Sequence, residues 1–269
     1  MNVIIIGGVA AGTKTAAKLK REHRDWKVTI LTKGADISYA GCGLPYYVGD
    51  VIHDRGELIV NTPESFSKLT DVEVKVRTEV TKVDRAAKTV TATDLESGQE
   101  TTYPYDKLVI AVGADAVKPP LPGVDLEGVY FMRTPADAVS LREAIEAGKV
   151  KRAVIVGGGF IGLEVAENLL AQGVRVSVID MAPQVLPGFD PEFAAYVEDR
   201  LADAGIAVFT NTKLAGLEGE SGHVSKVLTE RRPIKADTVI LSMGIRPNTA
   251  FLADSGLEMF KGTLIVDEQ

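Results

Sequence analysis

The sequence predicts an α/β protein built from two three-layer lobes, the second inserted in the first, with a small antiparallel β-meander. The main observation is a pattern that occurs twice: a short run of buried-strand residues, a glycine-rich turn and a helix. The two turns begin at Gly7 and Gly157, which are 157 − 7 = 150 residues apart. This spacing is too long for a stacked repeat, so it indicates two similar lobes.

The first lobe begins with a βαβ unit. An apolar run at residues 3–6 predicts a buried parallel strand, and a helix from about 12 to 23 leads to a second strand at 28–31. Apolar residues in short alternating runs then predict the strands of an antiparallel meander, at residues 72–76, 80–83, 89–93 and 101–103. A buried strand follows at 108–112. We therefore assign residues 1–112 to the first lobe.

The second lobe repeats the βαβ pattern. After a predicted helix at 135–147, an apolar run at 153–156 meets the second glycine turn, and a helix extends to about 172. Further elements of this lobe are predicted as a strand at 174–179, a helix at 191–204 and a strand at 239–242. We assign 113–242 to this lobe and 243–269 to a segment that returns to the first.

Composition excludes several classes of protein. Lys plus Arg total 30 against 37 Asp plus Glu, and the net charge of −7 argues against nucleic-acid binding. No uncharged run reaches the ~18 residues that a membrane span needs, and no basic leader precedes the first strand. A single cysteine, Cys42, excludes an internal disulfide and a cysteine-rich metal site. We expect a cytoplasmic protein without a metal site.

The second glycine turn has the features of a dinucleotide site. It reads Gly157-x-Gly159-x-x-Gly162, and Asp180 ends the next predicted strand. The glycines permit a tight turn, close approach of a pyrophosphate and close packing of helix on strand, while the helix N-terminus favours phosphate. Asp180 would accept hydrogen bonds from the ribose hydroxyls and repel a 2′-phosphate. The pattern favours NADH binding over a turn that serves packing alone.

The first glycine turn departs from this pattern. It reads Gly7-Gly8-Val9-Ala10-Ala11-Gly12, so Val9 replaces the middle glycine. The following strand ends in Thr32, where an acidic ribose ligand would stand. From these residues alone, a dinucleotide site and a purely structural turn remain open.

Cys42 lies in an unusual local sequence. A lone cysteine is typically a small buried hydrophobe. Here, however, Pro45 is suited to the first position of a helix, which would place Cys42 just before the helix N-terminus. The positive end of the helix dipole favours the reactive thiolate form. This position predicts a nucleophile.

Three motifs together resemble the flavin-dependent pyridine nucleotide–disulfide oxidoreductases. They are the two Rossmann-like lobes, the segment Ser-x-x-x-Cys-Gly-Leu-Pro-Tyr that begins at Ser38, and the run from Met243 to Asn248. The similarity covers essentially the whole chain. Within that family the sequence is most similar to the single-cysteine branch of coenzyme A disulfide reductase, NADH-dependent persulfide reductase and NADH oxidase/peroxidase.

The resemblance implies specific cofactor residues and places Cys42 beside the flavin. FAD would be held in the first lobe by Gly7, Gly12, Lys33, Ser38, Ala111 and Gly113. NADH would be held in the second lobe by Gly157, Gly159, Phe160, Ile161, Gly162, Glu164, Asp180 and Gly244. Phe160 matches an aromatic residue that shields the flavin until the nicotinamide displaces it.

The branch also implies a substrate. Lys14, Lys18 and Arg21 fall at i, i+4 and i+7 and form one basic stripe on the first helix. The stripe is either a solvated face or, as in the resembling enzymes, a site for the phosphates of coenzyme A. The oxidases carry a histidine in the first glycine turn where this chain has Ala10, and His23, His53 and His223 lie outside the motifs.

These features predict an enzyme that uses NADH, FAD and Cys42 to reduce a disulfide or persulfide, with coenzyme A as part of the substrate. The alternatives are an NADH oxidase or peroxidase that acts on oxygen species, or a nucleotide-binding fragment without turnover. The resembling enzymes continue past the position of Gln269 into a C-terminal dimerisation domain. We therefore expect a truncated chain whose parent is a homodimer, with no nucleic-acid or membrane partner.

Overall fold

The structure, a computed structural model, describes residues 1–267. Within this range the chain forms seven α-helices and nineteen strands. The helices are α1 (Ala10–Glu22), α2 (Leu44–Val48), α3 (Arg55–Leu58), α4 (Pro63–Thr70), α5 (Pro135–Glu146), α6 (Phe160–Ala171) and α7 (Pro191–Asp203). The strands are β1 (Asn2–Ile6), β2 (Lys27–Leu31), β3 (Glu73–Lys75), β4 (Thr78–Asp84), β5 (Thr89–Asp94), β6 (Glu100–Pro104), β7 (Lys107–Ile110), β8 (Ala114–Ala116), β9 (Val129–Tyr130), β10 (Arg152–Val156), β11 (Arg175–Ile179), β12 (Ala207–Phe209), β13 (Leu214–Glu220), β14 (His223–Thr229), β15 (Ile234–Lys235), β16 (Thr238–Leu241), β17 (Ile245–Pro247), β18 (Met259–Phe260) and β19 (Thr263–Leu264).

The chain folds into two compact units, and the second is inserted in the first, which confirms the predicted fold class. Unit 1 comprises Met1–Ala40, Ile59–Asp115 and the chain from Arg246 onward; unit 2 comprises Gly41–Leu58 and Ala116–Ile245. The segment Gly41–Leu58, which our boundary at residue 112 gives to the first lobe, belongs to unit 2 because its helix α2 packs on α5 and α6. The last two residues of the predicted segment 243–269 lie outside the described residues.

Unit 1 is organised around a parallel sheet with strand order β3-β2-β1-β7. Strand β1 lies between β2 and β7, so Ile5 is opposite both Ile30 and Val109. The central strands are apolar because both faces of the sheet are covered. One face packs with α1 and Phe66 of α4, and the other packs with the antiparallel meander β4-β5-β6.

One predicted meander strand belongs to the parallel sheet instead. Of the predicted strand at 72–76, Glu73–Lys75 forms β3, which pairs parallel with β2 through Ile30 and Val74. The expectation of an antiparallel strand was wrong because the alternation of apolar residues is the same in both settings. Helix α4, which was not predicted, decides the direction of β3 relative to β2. It returns the chain to the end of the sheet from which β2 starts, so the two strands run parallel.

Unit 2 repeats this arrangement with a parallel sheet of strand order β12-β11-β10-β16-β9. Its core contains Val154, Ile179 and Val239, which are buried against a second antiparallel meander, β13-β14-β15. This meander was not predicted, because glycines and charged residues interrupt its apolar alternation. The short pairs β17-β8 and β18-β19 complete the described strands. No helix in residues 1–267 is long and apolar enough to cross a membrane.

Helix α5 has the most complete N-terminal cap among the described helices. The hydroxyl of Thr134 accepts a hydrogen bond from the amide of Asp137, and the Asp137 carboxylate accepts one from the Thr134 amide. Pro135 occupies the first turn, where its missing N–H costs nothing. These reciprocal bonds satisfy backbone groups that a helix start otherwise leaves without partners.

We expect Thr134→Ala to lower the free energy of unfolding by about 1 kcal/mol, because the substitution removes the acceptor of the capping box. Thr134→Ser keeps that acceptor and is the control. Urea denaturation followed by circular dichroism measures both variants. An alanine variant as stable as the serine variant would show that the cap contributes nothing.

Candidate functional site

The second glycine turn has the geometry of a phosphate-binding loop. Gly157 has a φ of +113°, and a Cβ there would overlap the carbonyl oxygen of Ser242. A Cβ at Gly162 would overlap the carbonyl oxygen of Gly157, so helix α6 starts directly on the turn. At Gly159, by contrast, no described atom lies within 4 Å of the position of a Cβ. The two outer glycines are required for packing, and the middle one leaves open space.

The helices that follow the two glycine turns start without side-chain caps. In the described residues no side chain accepts a hydrogen bond at the start of α1 or α6, and neither sequence has an acidic residue in its first turn. In α4 and α5, threonine hydroxyls occupy that position. The first N–H groups of α1 and α6 are therefore available to an anion, and the helix dipole favours one there.

Asp180 stands where the sequence predicts it, directly after β11. Its Oδ2 accepts a hydrogen bond from the amide of Gly158 and its Oδ1 from the amide of Ala182, each at 2.7 Å. Each carboxylate oxygen can accept a further bond. The half-buried carboxylate is thus fixed beside the glycine turn with capacity left for ribose hydroxyls, and the next three residues, 181–183, carry no positive charge.

An aromatic pair lies at the start of α6. Phe160 is 64% exposed and meets Phe189 edge to face, with 5.7 Å between the ring centroids. The sequence predicts that Phe160 binds the cofactor but gives no sign of Phe189, which lies in the irregular segment between β11 and α7. Ile161 is also exposed, and Glu164 lies one turn further along the helix.

Gly244 closes the same end of the sheet of unit 2. It has a φ of +97°, and its carbonyl accepts a hydrogen bond from the amide of Val117. Ser242, two residues earlier, donates its hydroxyl to the carbonyl of Gly157 at 3.1 Å. The predicted residues of this lobe therefore gather around the carboxyl ends of β10, β11 and β16.

The first glycine turn has nearly the same geometry as the second. Gly7 has a φ of +108°, and a Cβ at Gly12 would overlap the carbonyl oxygen of Gly7. Ser38, at a φ of +50°, donates its amide to the carbonyl of Gly8 at 3.0 Å, just as Leu186 does to Gly158 in unit 2. The structural equivalence favours a nucleotide site over a purely structural turn.

Two differences separate the first turn from the second. Val9 occupies the position that corresponds to Gly159, so a side chain stands where unit 2 has open space. Thr32 replaces Asp180 and is buried. A dinucleotide in unit 1 would therefore lie further from the turn and would find no carboxylate at the end of β2.

The other predicted flavin residues lie at the carboxyl ends of the strands of unit 1. Ala111 donates its amide to Ile6, and its own carbonyl lies directly against Gly7. Gly113 has a φ of +64°, and its carbonyl accepts a hydrogen bond from the amide of Asn248 at 3.1 Å. Lys33 donates to Glu79 at 2.9 Å, and this hydrogen bond raises the pKa of Lys33 above its ordinary value.

The residues present fit a dinucleotide in each unit. Each unit has a glycine turn that accepts no side chain at its outer positions, an uncapped helix N-terminus, and a glycine in the left-handed region on the neighbouring strand end. Crevices at the carboxyl ends of parallel strands are the usual ligand sites of such sheets.

Cys42 lies in unit 2, in a 3₁₀ turn, Gly41–Gly43, that leads directly into α2. Pro45 occupies the second position of α2, one residue later than the first position for which the sequence suits it. The thiol is exposed, so a substrate can reach it. Cys42 therefore lacks the burial that is typical of a lone cysteine.

A basic groove lies in unit 1 between α1 and α4, with a volume of about 1020 Å³. Four exposed cations line it, and none of them pairs with a carboxylate within 4 Å in the described residues: Lys14, Arg21, Arg24 and Lys68. Apolar side chains contribute the rest, including Phe66 and the 76% exposed Leu69. The sequence analysis missed Arg24 and Lys68, although Thr62 followed by Pro63 is a helix-start signal that would have revealed α4.

Lys18 lies outside the groove, whereas Lys20 lines it but is buried and paired. Lys18 is not among the described residues that line the groove and pairs with Glu22 at 3.7 Å. The Nζ of Lys20 is buried and donates to the carbonyls of Arg24 and Trp26, at 2.8 and 3.0 Å, and pairs with Asp71 at 2.8 Å. Lys20 therefore connects the end of α1 to Asp71, the residue that follows α4.

Similar proteins are found by sequence and by structure. An NADH oxidase of Methanocaldococcus jannaschii is 34% identical over 270 residues, which cover 100% of this chain and 60% of that protein. A CoA-dependent NAD(P)H sulfur oxidoreductase of Pyrococcus abyssi is 37% identical over 258 residues, which cover 96% of this chain and 56% of that protein. The structure of an NAD-dependent persulfide reductase from A. fulgidus superimposes with a TM-score of 0.95 at 37% identity, covering 99% of this chain and 50% of that one.

The chain thus spans little more than half the length of the curated relatives it matches. Residues 1–269 match the pyridine nucleotide-disulphide oxidoreductase family over their whole length. Proteins of this family depend on FAD and NAD(P)H. Together with the two glycine turns and the exposed Cys42, this match shows that the chain belongs to the pyridine nucleotide-disulphide oxidoreductases.

Proposed function

We propose that the protein is a flavin-dependent oxidoreductase that uses NADH to reduce a disulfide or persulfide through FAD and Cys42. One observation carries the proposal: the single thiol of a chain with two dinucleotide-type turns is exposed at the start of a helix. The relatives named as sulfur oxidoreductase and persulfide reductase support the same reaction class.

In this proposal each glycine turn holds one dinucleotide. The N-terminus of α1 binds the pyrophosphate of FAD, with Ser38, Lys33, Ala111 and Gly113 around it. The N-terminus of α6 binds NADH, with Asp180 on its ribose. When bound, FAD would accept the hydride of NADH and supply two electrons for the reduction of sulfur.

Cys42 provides the sulfur chemistry. Its thiolate attacks one sulfur of the substrate disulfide, so an S–S bond to Cys42 forms, the substrate S–S bond breaks and the first thiolate leaves. Two electrons and a proton then cleave the mixed disulfide, which releases the second thiol and regenerates the Cys42 thiolate. One protein cysteine suffices because the substrate supplies the other sulfur.

The basic groove favours a substrate that carries phosphates and an aromatic base, such as coenzyme A disulfide or a coenzyme A persulfide. Its unpaired cations, including Lys14 and Arg21, suit phosphate groups, and the exposed Leu69 offers an apolar contact for a base. The name of the CoA-dependent relative points in the same direction.

An NADH oxidase is the second candidate, because the M. jannaschii relative carries that name. The sequence argues against it: Ala10 stands where the resembling oxidases have a histidine in the first glycine turn. Oxygen consumption with NADH as the only other substrate separates the oxidase from the disulfide or persulfide reductase.

We further propose that the protein is cytoplasmic, where a thiol stays reduced. We also propose that it forms the homodimer expected from the resemblance, which light scattering would test.

We expect the protein to bind NADH at least about tenfold more tightly than NADPH, a difference of about 1.4 kcal/mol, because Asp180 would repel a 2′-phosphate. Asp180→Asn should reduce the preference for NADH over NADPH, since the amide keeps an acceptor but loses the charge. Asp190→Asn, at the exposed start of α7, is the control for the loss of one negative charge. Equal dissociation constants for the two nucleotides in fluorescence titration would contradict the assignment.

We expect Cys42→Ser to abolish NADH-dependent reduction of coenzyme A disulfide, because serine cannot form the mixed disulfide. NADH-driven reduction of an artificial one-electron dye should continue at a rate within about twofold of the wild type, as it needs no thiol. Stopped-flow and steady-state assays measure the two reactions. Disulfide reduction at the original rate in the serine variant would show that Cys42 is a bystander.

We expect Lys14→Gln combined with Arg21→Gln to raise KM for coenzyme A disulfide by about 10- to 100-fold, because solvent screens these two exposed cations and their contacts with phosphate are together worth about 1.5–3 kcal/mol. KM for a small uncharged disulfide should not change. Lys18→Gln is the matched control, since it removes the same charge from the same helix outside the groove. The assignment fails if the control and the double variant behave alike.

A further inference from the structure

Arg142 of α5 connects the cysteine-bearing segment Gly41–Leu58 to the rest of unit 2. Its Nη1 donates to the carbonyl oxygens of Tyr47 and Ile52, each at 3.0 Å, and its Nη2 donates to the carboxylate of Asp50. Its Nε donates to Glu146 at 2.9 Å. One guanidinium therefore serves four acceptors, three of them on the segment.

The guanidinium is held rigidly. The Arg142 side chain is only 15% exposed, and its guanidinium carbon lies 4.5 Å from the centre of the Tyr47 ring. The hydrogen bond to Glu146 and the charge of Asp50 raise the pKa of Arg142, while hydrogen bonding to His53 and the charge of Arg142 lower the pKa of Asp50. Arg142 places its positive charge at the end of α2, where helix carbonyls favour one.

Helix α6 holds the same end of α2 from another direction. The Nε2 of Gln172 donates to the carbonyl of Gly49 at 2.8 Å, and a Cβ at Gly49 would overlap the side chain of Asn168. The backbone after α2 thus lies directly on α6, whose other end is the second glycine turn.

Cys42 depends on these contacts through the chain itself. The turn Gly41–Gly43 continues into α2 without a linker, and α2 has only five residues, too few to be stable as an isolated helix. The position of the exposed thiol is therefore set by the contacts that fix α2, and Arg142 makes most of the polar ones.

We propose that Arg142 is a positioning residue for Cys42, which it holds in place by clamping the far end of α2. This inference rests on the proposed role of Cys42 in sulfur reduction. Lysine cannot replace arginine here, because an ammonium group has three donors on one nitrogen, whereas the guanidinium serves four acceptors from three nitrogens.

The test compares Arg142→Lys with Arg200→Lys in the intact holoenzyme. Arg200 lies on the exposed face of α7, where it also meets an aromatic ring, and touches no part of the segment in the described residues. For Arg142→Lys we expect kcat for disulfide reduction to fall at least about tenfold, with KM for NADH and the dye-reduction rate within about twofold of the wild type. Arg200→Lys should change none of these.

Amide hydrogen exchange provides a second readout that needs no turnover. The amides of Gly49, Val51 and Ile52 donate to carbonyls of α2. In Arg142→Lys they should exchange at least about tenfold faster, while amides of β10 should not change. This readout still tests the clamp if the protein reduces no disulfide at all.

Gln172→Met removes the hydrogen bond to the Gly49 carbonyl with little change of volume. It should also lower kcat and speed amide exchange, but by less than Arg142→Lys. This variant replaces Arg142→Lys in the test if that protein does not fold. Unchanged exchange at residues 49–52 in the folded variants would overturn the clamp. Faster exchange with an unchanged kcat would overturn the positioning role.

Discussion

The structure depends on one close contact, made twice: the start of a helix lies against the carbonyl oxygen of the first glycine in the turn before it. A Cβ at Gly12 would overlap the carbonyl oxygen of Gly7, and one at Gly162 would overlap that of Gly157. This contact directs the helix N-terminus at the carboxyl ends of the parallel strands. The N-cap residues Val9 and Gly159 have no side-chain acceptor, so the first amides of α1 and α6 are uncapped, which is the condition for binding a phosphate.

The features that follow from strict local constraints could be predicted from the sequence. A glycine turn between strand and helix permits few alternatives, so the two units, their central strands and Asp180 are where the sequence indicates. Pro45 likewise marks the start of α2 after Cys42. In each case a residue type with an exceptional backbone or charge property determines the local structure.

Features that depend on tertiary packing could not be predicted in this way. The alternation of Val72, Val74 and Val76 does not reveal the direction of β3, because that depends on α4. The far wall of the basic groove depends on how α4 packs beside α1. Arg142 belongs to a helix whose sequence gives no sign that it contacts residues 47–52, about 90 positions earlier.

The basic groove also shows that the net charge of the chain does not determine the charge of each local surface. The chain carries a formal charge of −7, yet four cations that form no ion pair within residues 1–267 lie together between α1 and α4. Lys18 and Lys20, on the same helix, are neutralised by nearby carboxylates. A local field of this kind can select a phosphate-bearing ligand on a protein whose overall charge repels nucleic acid.

If the two glycine turns are separate dinucleotide sites, NADH should occupy the second and leave the first unchanged. Amide hydrogen exchange with and without saturating NADH distinguishes the two turns. Amides at residues 158–163 should exchange at least about tenfold more slowly with NADH, whereas amides at residues 8–13 should keep their rates. Protection at residues 8–13, or none at 158–163, would contradict this assignment.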